Sequence, residues 1–143
     1  MKEQLIRFIT HWEGCSLTQY YDVGHRLTVG VGHLIRPTDN LPETITQEQA
    51  DDLLWGDLQS AIKSVRAQVK VPLNTNRFIS LVDYTFNLGG HTLQRSTLRS
   101  KLNRQDYQGA AGEFIKYDHV GNKVFGGLLR RRQAEARLFM EEV

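Results

Sequence analysis

Apolar residues recur every three or four positions at the start of the chain, between Leu5 and Trp12. This spacing predicts an amphipathic helix, which Gly14 is expected to end. From Leu17 to Leu34, Tyr, Val and Thr alternate with glycines, a pattern that is typical of short strands joined by tight turns. This segment is the one convincing β region of the sequence, and it predicts a small N-terminal sheet.

A longer helix is predicted after a loop bracketed by Pro37 and Pro42. Thr46 followed by Gln49 is a capping-box signature, and the apolar positions then continue in helical spacing as far as the stop at Pro72. Further helices are predicted over 78–86, 97–102, 107–115 and 128–139, with Gly89-Gly90 and Gly126-Gly127 between them. The expected fold class is therefore α+β and predominantly helical.

The length of the chain favours a single domain. At 143 residues and 40% hydrophobic side chains, it can bury roughly two-thirds of its unfolded surface. We expect one cooperative domain over 1–143, with a β-containing lobe at about 15–45 and a helical lobe at about 70–143 that includes the N-terminal helix. The formal charge of +2 draws the chain to polyanions in general and separates no class of partner.

Candidate chemistry lies around the end of the first predicted helix. Cleavage of a glycosidic bond needs a carboxylic acid and commonly a second carboxylate that guides a water. Glu13 sits where the partial negative charge of the helix C-terminus and apolar flanks from Trp12 and Cys15 favour a protonated acid. Asp22 and Thr28 follow on the predicted hairpin, and a threonine hydroxyl can hold a water. Taken singly, each of the three is better explained as an ordinary surface or strand residue.

Four ordered blocks of the sequence resemble the signature of phage-type lysozymes, the endolysin family of glycoside hydrolases. The first block runs from Glu13 to Asp22 and on through Gly24, Thr28, Gly30, Gly32 and His33. The others are Phe86-Asn87-Leu88-Gly89, Ser96-Thr97-Leu98 with Leu102-Asn103, and Gly127-Leu128 with Arg131-Arg132 and Glu135. The resemblance covers essentially the whole chain.

This resemblance implies a lysozyme-like, two-lobed fold and a muramidase that lyses the host cell. Such an enzyme hydrolyses the β-1,4 bond between N-acetylmuramic acid and N-acetylglucosamine in peptidoglycan. The family's catalytic acid, aspartate and threonine fall on Glu13, Asp22 and Thr28, and the expected course is inversion. Sugar contacts in a cleft between the lobes are implied at Leu34, Phe86, Ser96, Thr97 and Glu113. No cofactor and no metal are implied.

The first eight residues carry spread charges and no long apolar run, so we expect neither a cleaved signal nor stable membrane insertion. The resemblance then implies a monomer that accumulates in the host cytoplasm and reaches the periplasmic wall through a separate holin.

Two other functions compete with hydrolysis. A lytic transglycosylase cuts the same bond but closes a 1,6-anhydro ring, and it can work with one acid. A non-catalytic peptidoglycan-binding module would keep the cleft without the chemistry. Asp22 and Thr28 at the family's spacing favour hydrolysis, because a water must be held.

The run Arg130-Arg131-Arg132 raises the question of nucleic-acid binding. Successive helical residues lie about 100° apart, so the three cannot form one patch, and we expect no nucleic-acid partner. We expect Arg131 or Arg132 to turn inward and pair with a carboxylate near the active site, with plain surface solvation as the alternative.

Histidine and cysteine give no sign of a metal site. The five histidines lack ligand spacing, and His33 is expected to cap the hairpin through hydrogen bonds. Cys15 beside Glu13 could be a nucleophile in principle, but a small buried apolar role is the expectation.

Overall fold

Two units make up the chain, Met1–Gln59 and Ser60–Val143. The computed structural model describes residues 1–116 and 126–141 together with the backbone of 119–120 and 123–124. The fold class is α+β and predominantly helical, as predicted. That both units fold as one cooperative domain stays a prediction.

The first unit begins with the predicted helix and sheet. Its elements are α1 (Lys2–Glu13), β1 (Ser16–Tyr21), β2 (Leu27–Gly30), β3 (His33–Leu34) and the first part of α2 (Gln47–Gln68). The apolar stripe of α1 buries Leu5 and Ile9 completely. Gly14 ends the helix with φ 77°, a value that favours glycine, and its N–H donates to the carbonyl of Thr10.

The capping box at the start of α2 is confirmed in both directions. The Thr46 N–H donates to Oε1 of Gln49 at 2.8 Å, and the Gln49 N–H donates to Oγ1 of Thr46 at 3.1 Å. The helix ends at Gln68, a few residues before the proline that was expected to stop it.

The sheet is antiparallel in the order β1-β2-β3. Val29, Ile45 and Ala50 form its buried core, which draws Leu17, Ile35, Leu41 and Leu53 around it. Gly30 ends β2 with φ 69°, and a Cβ there would lie 3.4 Å from the Cβ of Ala50. The sheet therefore rests closely on the first turn of α2.

His33 anchors the sheet through two carboxylates. Its ring is buried, with Nδ1 2.8 Å from Oδ2 of Asp57 on α2 and Nε2 2.9 Å from Oδ2 of Asp39. The expected capping of the hairpin by His33 was wrong, because the ring is directed to these acids. A ring that donates to two carboxylates is an imidazolium.

The charges around His33 stabilise one another. Burial lowers the pKa of His33, but the hydrogen bonds to Asp39 and Asp57 outweigh it and raise that pKa above its ordinary value. The N–H of Arg36, followed by the His33 ring, lowers the pKa of Asp39 to about 2. The cluster is therefore charged on both sides in mildly acidic solution.

The second unit is mostly helical. It contains the rest of α2, then α3 (Thr75–Leu88), α4 (Gly90–Arg95), α5 (Thr97–Asn103), α6 (Tyr107–Glu113), a 3-10 helix (Phe114–Lys116), β4 (His119–Val120), β5 (Lys123–Val124) and α7 (Gly126–Met140). Helix α3 packs against α7, and α5 packs against α6. The rings of Tyr84 and Phe139 lie 5.4 Å from that of Phe114 in the core.

Three short elements of this unit, α4, β4 and β5, were missed from the sequence. Helix α4 begins at Gly90, within a glycine pair that was interpreted as punctuation, and Gly126 likewise starts α7. The two-residue strands β4 and β5 were also missed. Elements this short give too few positions for a hydrophobic period to show.

The His33 cluster makes stability depend on pH. We expect His33→Asn to lower the free energy of unfolding by about 2–3 kcal/mol at pH 5.5, since charge-assisted hydrogen bonds are lost. The loss shrinks at alkaline pH: a raised pKa contributes stability that is complete below the unfolded value and disappears as pH rises through the folded value.

Urea unfolding of both proteins at pH 5.5 and pH 9 measures this difference. His91→Asn is the control, because His91 is exposed and should change stability by no more than about 0.5 kcal/mol. An equal loss for His33→Asn at both pH values would contradict the imidazolium.

Candidate active site

Asp22 is held by the turn that joins β1 to β2. Its Oδ1 accepts from the backbone N–H groups of Gly24 at 2.9 Å and Arg26 at 2.8 Å. Its Oδ2 accepts from Nε and Nη2 of Arg26, both at 3.1 Å. The Arg26 N–H chiefly, with the guanidinium and the Gly24 N–H, lowers the pKa of Asp22 despite its partial burial. The carboxylate is thus ionised and oriented.

Thr28 is tied to the same turn. Its buried hydroxyl donates to the carbonyl of Arg26 at 2.9 Å, and the N–H of Asp22 donates to that carbonyl at 2.9 Å. Because the hydroxyl proton is used in this way, the oxygen of Thr28 keeps lone pairs that can accept from a water. Asp22 and Thr28 therefore share one hydrogen-bond network centred on the backbone of Arg26.

Leu34 lies beside Thr28. The register pairs Thr28 of β2 with Leu34 of β3, so the two side chains stand on the same face of the sheet. The side chain of Leu34 is exposed. Among the sugar-contact residues implied by the resemblance, Leu34 is the one that the first unit contains.

Glu13 is the last residue of α1, and two residues separate it from the start of β1. Its side chain is exposed rather than enclosed by apolar neighbours, since Trp12 is only partly buried and Cys15 is exposed. The expected burial of Cys15 was wrong. Cys15 lies in the link between Gly14 and β1, outside both the helix stripe and the sheet core.

Four of the residues implied to contact sugars belong to the second unit. Phe86 is half-buried on α3, and Thr97 is exposed at the start of α5. Ser96 is buried and caps α5: its hydroxyl accepts from the Arg99 N–H at 3.0 Å and donates to a backbone carbonyl. Glu113 is buried, and its carboxylate forms ion pairs within the fold.

One carboxylate oxygen of Glu113 forms ion pairs with two lysines. Its Oε2 accepts from Nζ of Lys101 at 3.2 Å and of Lys116 at 2.5 Å. The Lys116 hydrogen bond, more than any other contact, lowers the pKa of Glu113. Sugar contacts at these second-unit positions stay predictions.

Two of the three clustered arginines turn inward and pair with carboxylates, as one of the two alternatives predicted. That these carboxylates lie near the active site stays a prediction. Arg131 donates to both carboxylate oxygens of Asp83, at 3.0 and 2.7 Å. Arg132 pairs with Glu135 at 2.6 and 2.8 Å. Both partners belong to the second unit, and Arg130 alone of the run is exposed. Solvation therefore describes Arg130 and not its two neighbours.

Within the residues that the structure describes, no group of three His, Cys, Asp or Glu could hold a metal ion. Within them, too, no helix is both long and apolar enough to cross a membrane.

Comparison with known proteins decides the family. The phage lysozyme family model matches residues 10–135. The chain belongs to the phage lysozyme family. The endolysin of Acyrthosiphon pisum secondary endosymbiont phage 1 is 37% identical over 145 residues, covering 97% of each chain. The endolysin of Salmonella phage P22 is 37% identical over 131 residues, covering 90% of this chain and 89% of its own. A crystal structure of a P22 lysozyme variant has a TM-score of 0.90 at 33% identity, covering 96% of each chain.

The predicted activity is confirmed with the family. The chain is a muramidase-type endolysin, a glycoside hydrolase that acts on the peptidoglycan of the host cell wall. None of these similarities favours the lytic transglycosylase or the non-catalytic binding module.

Arg26 is the residue that sequence analysis missed. Its backbone N–H and its guanidinium both donate hydrogen bonds to Asp22, and its carbonyl accepts one from the Thr28 hydroxyl. The only signal in the sequence is its position four residues after Asp22 in a glycine-containing turn, which many unrelated turns share.

We expect Arg26→Met to move the acidic limb of the pH–activity profile to higher pH. The guanidinium is lost while the backbone N–H, the larger influence, remains, so the pKa of Asp22 rises only part of the way to its ordinary value. The ionised form of Asp22 then disappears earlier as pH falls. Since the guanidinium is largely exposed, the rate at pH 7 should fall about fivefold or less.

Rates of muropeptide release between pH 3 and pH 8 measure this shift. Arg36→Met is the matched control, because exposed Arg36 pairs with Asp39 and not with Asp22. If both variants shift the acidic limb of the pH–activity profile equally, or if neither shifts it, the Arg26 guanidinium does not lower the pKa of Asp22.

Proposed function

We propose that Glu13 is the catalytic acid of this endolysin and that Asp22 and Thr28 hold the attacking water, with inversion at the anomeric carbon. The observation that carries the proposal is the Asp22–Arg26–Thr28 network. It supplies an ionised carboxylate and a hydroxyl oxygen with acceptor capacity, and a nucleophilic water needs both.

In the proposed step, protonated Glu13 gives its proton to the glycosidic oxygen as the bond from that oxygen to the anomeric carbon breaks. The water forms the new bond to the anomeric carbon from the opposite face and passes one proton to Asp22, while its other O–H, which stays on the product, donates a hydrogen bond to the Thr28 oxygen. The products are a reducing muramic end and a free hydroxyl on the glucosamine. Glu13 is left ionised and Asp22 protonated.

The exposure of Glu13 supports its proposed role in turnover. A donor that is spent in each cycle must recover its proton, and an exposed carboxylate exchanges protons with solvent directly. The capped end of α1 fixes its backbone, since Gly14 closes the helix on Thr10.

Sugar binding is proposed at Leu34, whose exposed side chain stands next to Thr28. Further sugar contacts are proposed, on family resemblance alone, at Phe86, Ser96, Thr97 and Glu113. For Ser96, the helix cap competes with that use, because its hydroxyl both donates and accepts within the fold.

We further propose that the endolysin is a monomer that accumulates in the host cytoplasm and meets the wall after a holin has opened the membrane. The N-terminal helix supports this, because its buried apolar residues belong to the core of the first unit. Expression with and without a holin tests it: lysis without one would contradict the proposal. Gel filtration tests the monomer.

Glu13→Gln should abolish hydrolysis while the fold persists, since the change removes the proton donor at almost constant volume. We expect a loss of at least about a hundredfold, within the usual range for a general acid. Asp22→Asn should also lose most activity. Mass spectrometry of digested peptidoglycan scores reducing muramic ends against anhydro ends. Glu43→Gln is the control, because Glu43 is exposed in the same unit and outside the network.

Each outcome of that digestion has a distinct meaning. Reducing ends from the wild type and Glu43→Gln, and not from Glu13→Gln, support the proposal. Anhydro ends from the wild type would make the chain a transglycosylase, and substantial activity in folded Glu13→Gln would remove Glu13 from the mechanism. NMR of the first-formed anomer tests inversion.

A further inference from the structure

We propose that Tyr20 is a carbohydrate-binding residue that, together with Leu34, forms an apolar sugar platform on either side of Thr28. The ligand is a pyranose ring of the glycan strand next to the bond that is cleaved. This inference rests on the proposed roles of Asp22 and Thr28 and adds a residue to them.

The register of the sheet places the three side chains in one row. Tyr20 of β1 pairs with Thr28 of β2, and Thr28 pairs with Leu34 of β3. Directly paired residues point to the same face, with Cβ atoms about 4.5–5.5 Å apart. The row from Tyr20 to Leu34 therefore spans roughly 10 Å across the sheet.

The two ends of the row are exposed and its middle is buried. Tyr20 is 39% exposed and Leu34 is 42% exposed, whereas Thr28 between them is 2% exposed. The next residues on the opposite face, Val29 and His33, are buried in the core and the charge cluster. The row thus presents two accessible apolar groups that flank a recessed polar one.

This arrangement has the chemistry of a sugar-binding surface. One side of a pyranose ring is a surface of C–H groups that packs on an aromatic ring, and the phenol hydroxyl can hydrogen-bond a sugar hydroxyl. In the described part of the chain, Tyr20 makes no side-chain hydrogen bond and no ring contact, so its hydroxyl and the exposed part of its ring are open to a ligand.

Asp22 connects the row to the chemistry. It follows Tyr20 by two residues, directly after the end of β1, and its N–H donates to the same Arg26 carbonyl that accepts from the Thr28 hydroxyl. A ring seated on Tyr20 and Leu34 therefore lies over Thr28 and beside the carboxylate that is proposed to guide the water.

Tyr21 supplies a matched control within the same strand. It pairs with Leu27, points to the other face and is 69% exposed. Replacement of either tyrosine by threonine removes a ring and keeps a strand-forming residue. The two variants lose the ring from opposite faces, and more of the Tyr20 ring is covered by the fold, so the unfolding temperature of each is compared as well.

We expect Tyr20→Thr to raise KM for soluble, uncross-linked glycan strands about tenfold, with kcat changed less, since an aromatic contact of this kind accounts for up to about a factor of ten in affinity. Tyr20→Phe should stay within about threefold of the wild type. Tyr21→Thr should stay within about twofold. Thermal unfolding of each variant establishes that it is folded, and if Tyr20→Thr is not, Tyr20→Leu takes its place.

Equal effects of Tyr20→Thr and Tyr21→Thr would overturn the proposal, because the face would then be irrelevant. A fall in kcat at unchanged KM would overturn it as well, since Tyr20 would then act on Asp22 and not on the sugar. Failure of the proposed catalytic roles is detected in the peptidoglycan digestion, where Glu13→Gln or Asp22→Asn would then still produce reducing ends. The KM comparison of the tyrosine variants stays interpretable in that case.

Discussion

The turn between β1 and β2 must satisfy the carboxylate of Asp22, and the rest of the candidate site depends on this constraint. One residue, Arg26, gives Asp22 a backbone donor and a guanidinium, and its carbonyl accepts a hydrogen bond from the Thr28 hydroxyl. The conformation of the turn, the charge of the acid and the orientation of the threonine therefore cannot vary independently. A site built in this way is preorganised by local hydrogen bonds.

Hydrogen-bonded charges also fix other parts of each unit. His33 donates to Asp39 and Asp57 and so ties β3 to α2 through charge, while Gly30 lets the end of β2 approach Ala50 closely. In the second unit, Asp83 is paired with Arg131, and burial together with Asp83 raises the pKa of Glu135. Buried ion pairs of this kind fix geometry more than they add stability.

Local patterns predicted most of the fold. The stripe of α1, the capping box of α2 and the glycine-rich strands depend on neighbours within a few residues, so the sequence alone was sufficient for them. Helix α4 and the β4–β5 pair were missed because each is too short to show a period. The burial of Cys15 was wrong because it was inferred from residue type, whereas exposure depends on what folds over a position.

By itself the sequence determined the family, the kind of reaction and the three residues proposed to catalyse it, since these depend on residue types in a fixed order. Only the tertiary structure showed that Arg26 joins Asp22 to Thr28, that Tyr20 and Leu34 flank Thr28, and that Arg131 turns to Asp83. Register and turn geometry decide these relations, and they bring together residues whose separation along the chain carries no such information.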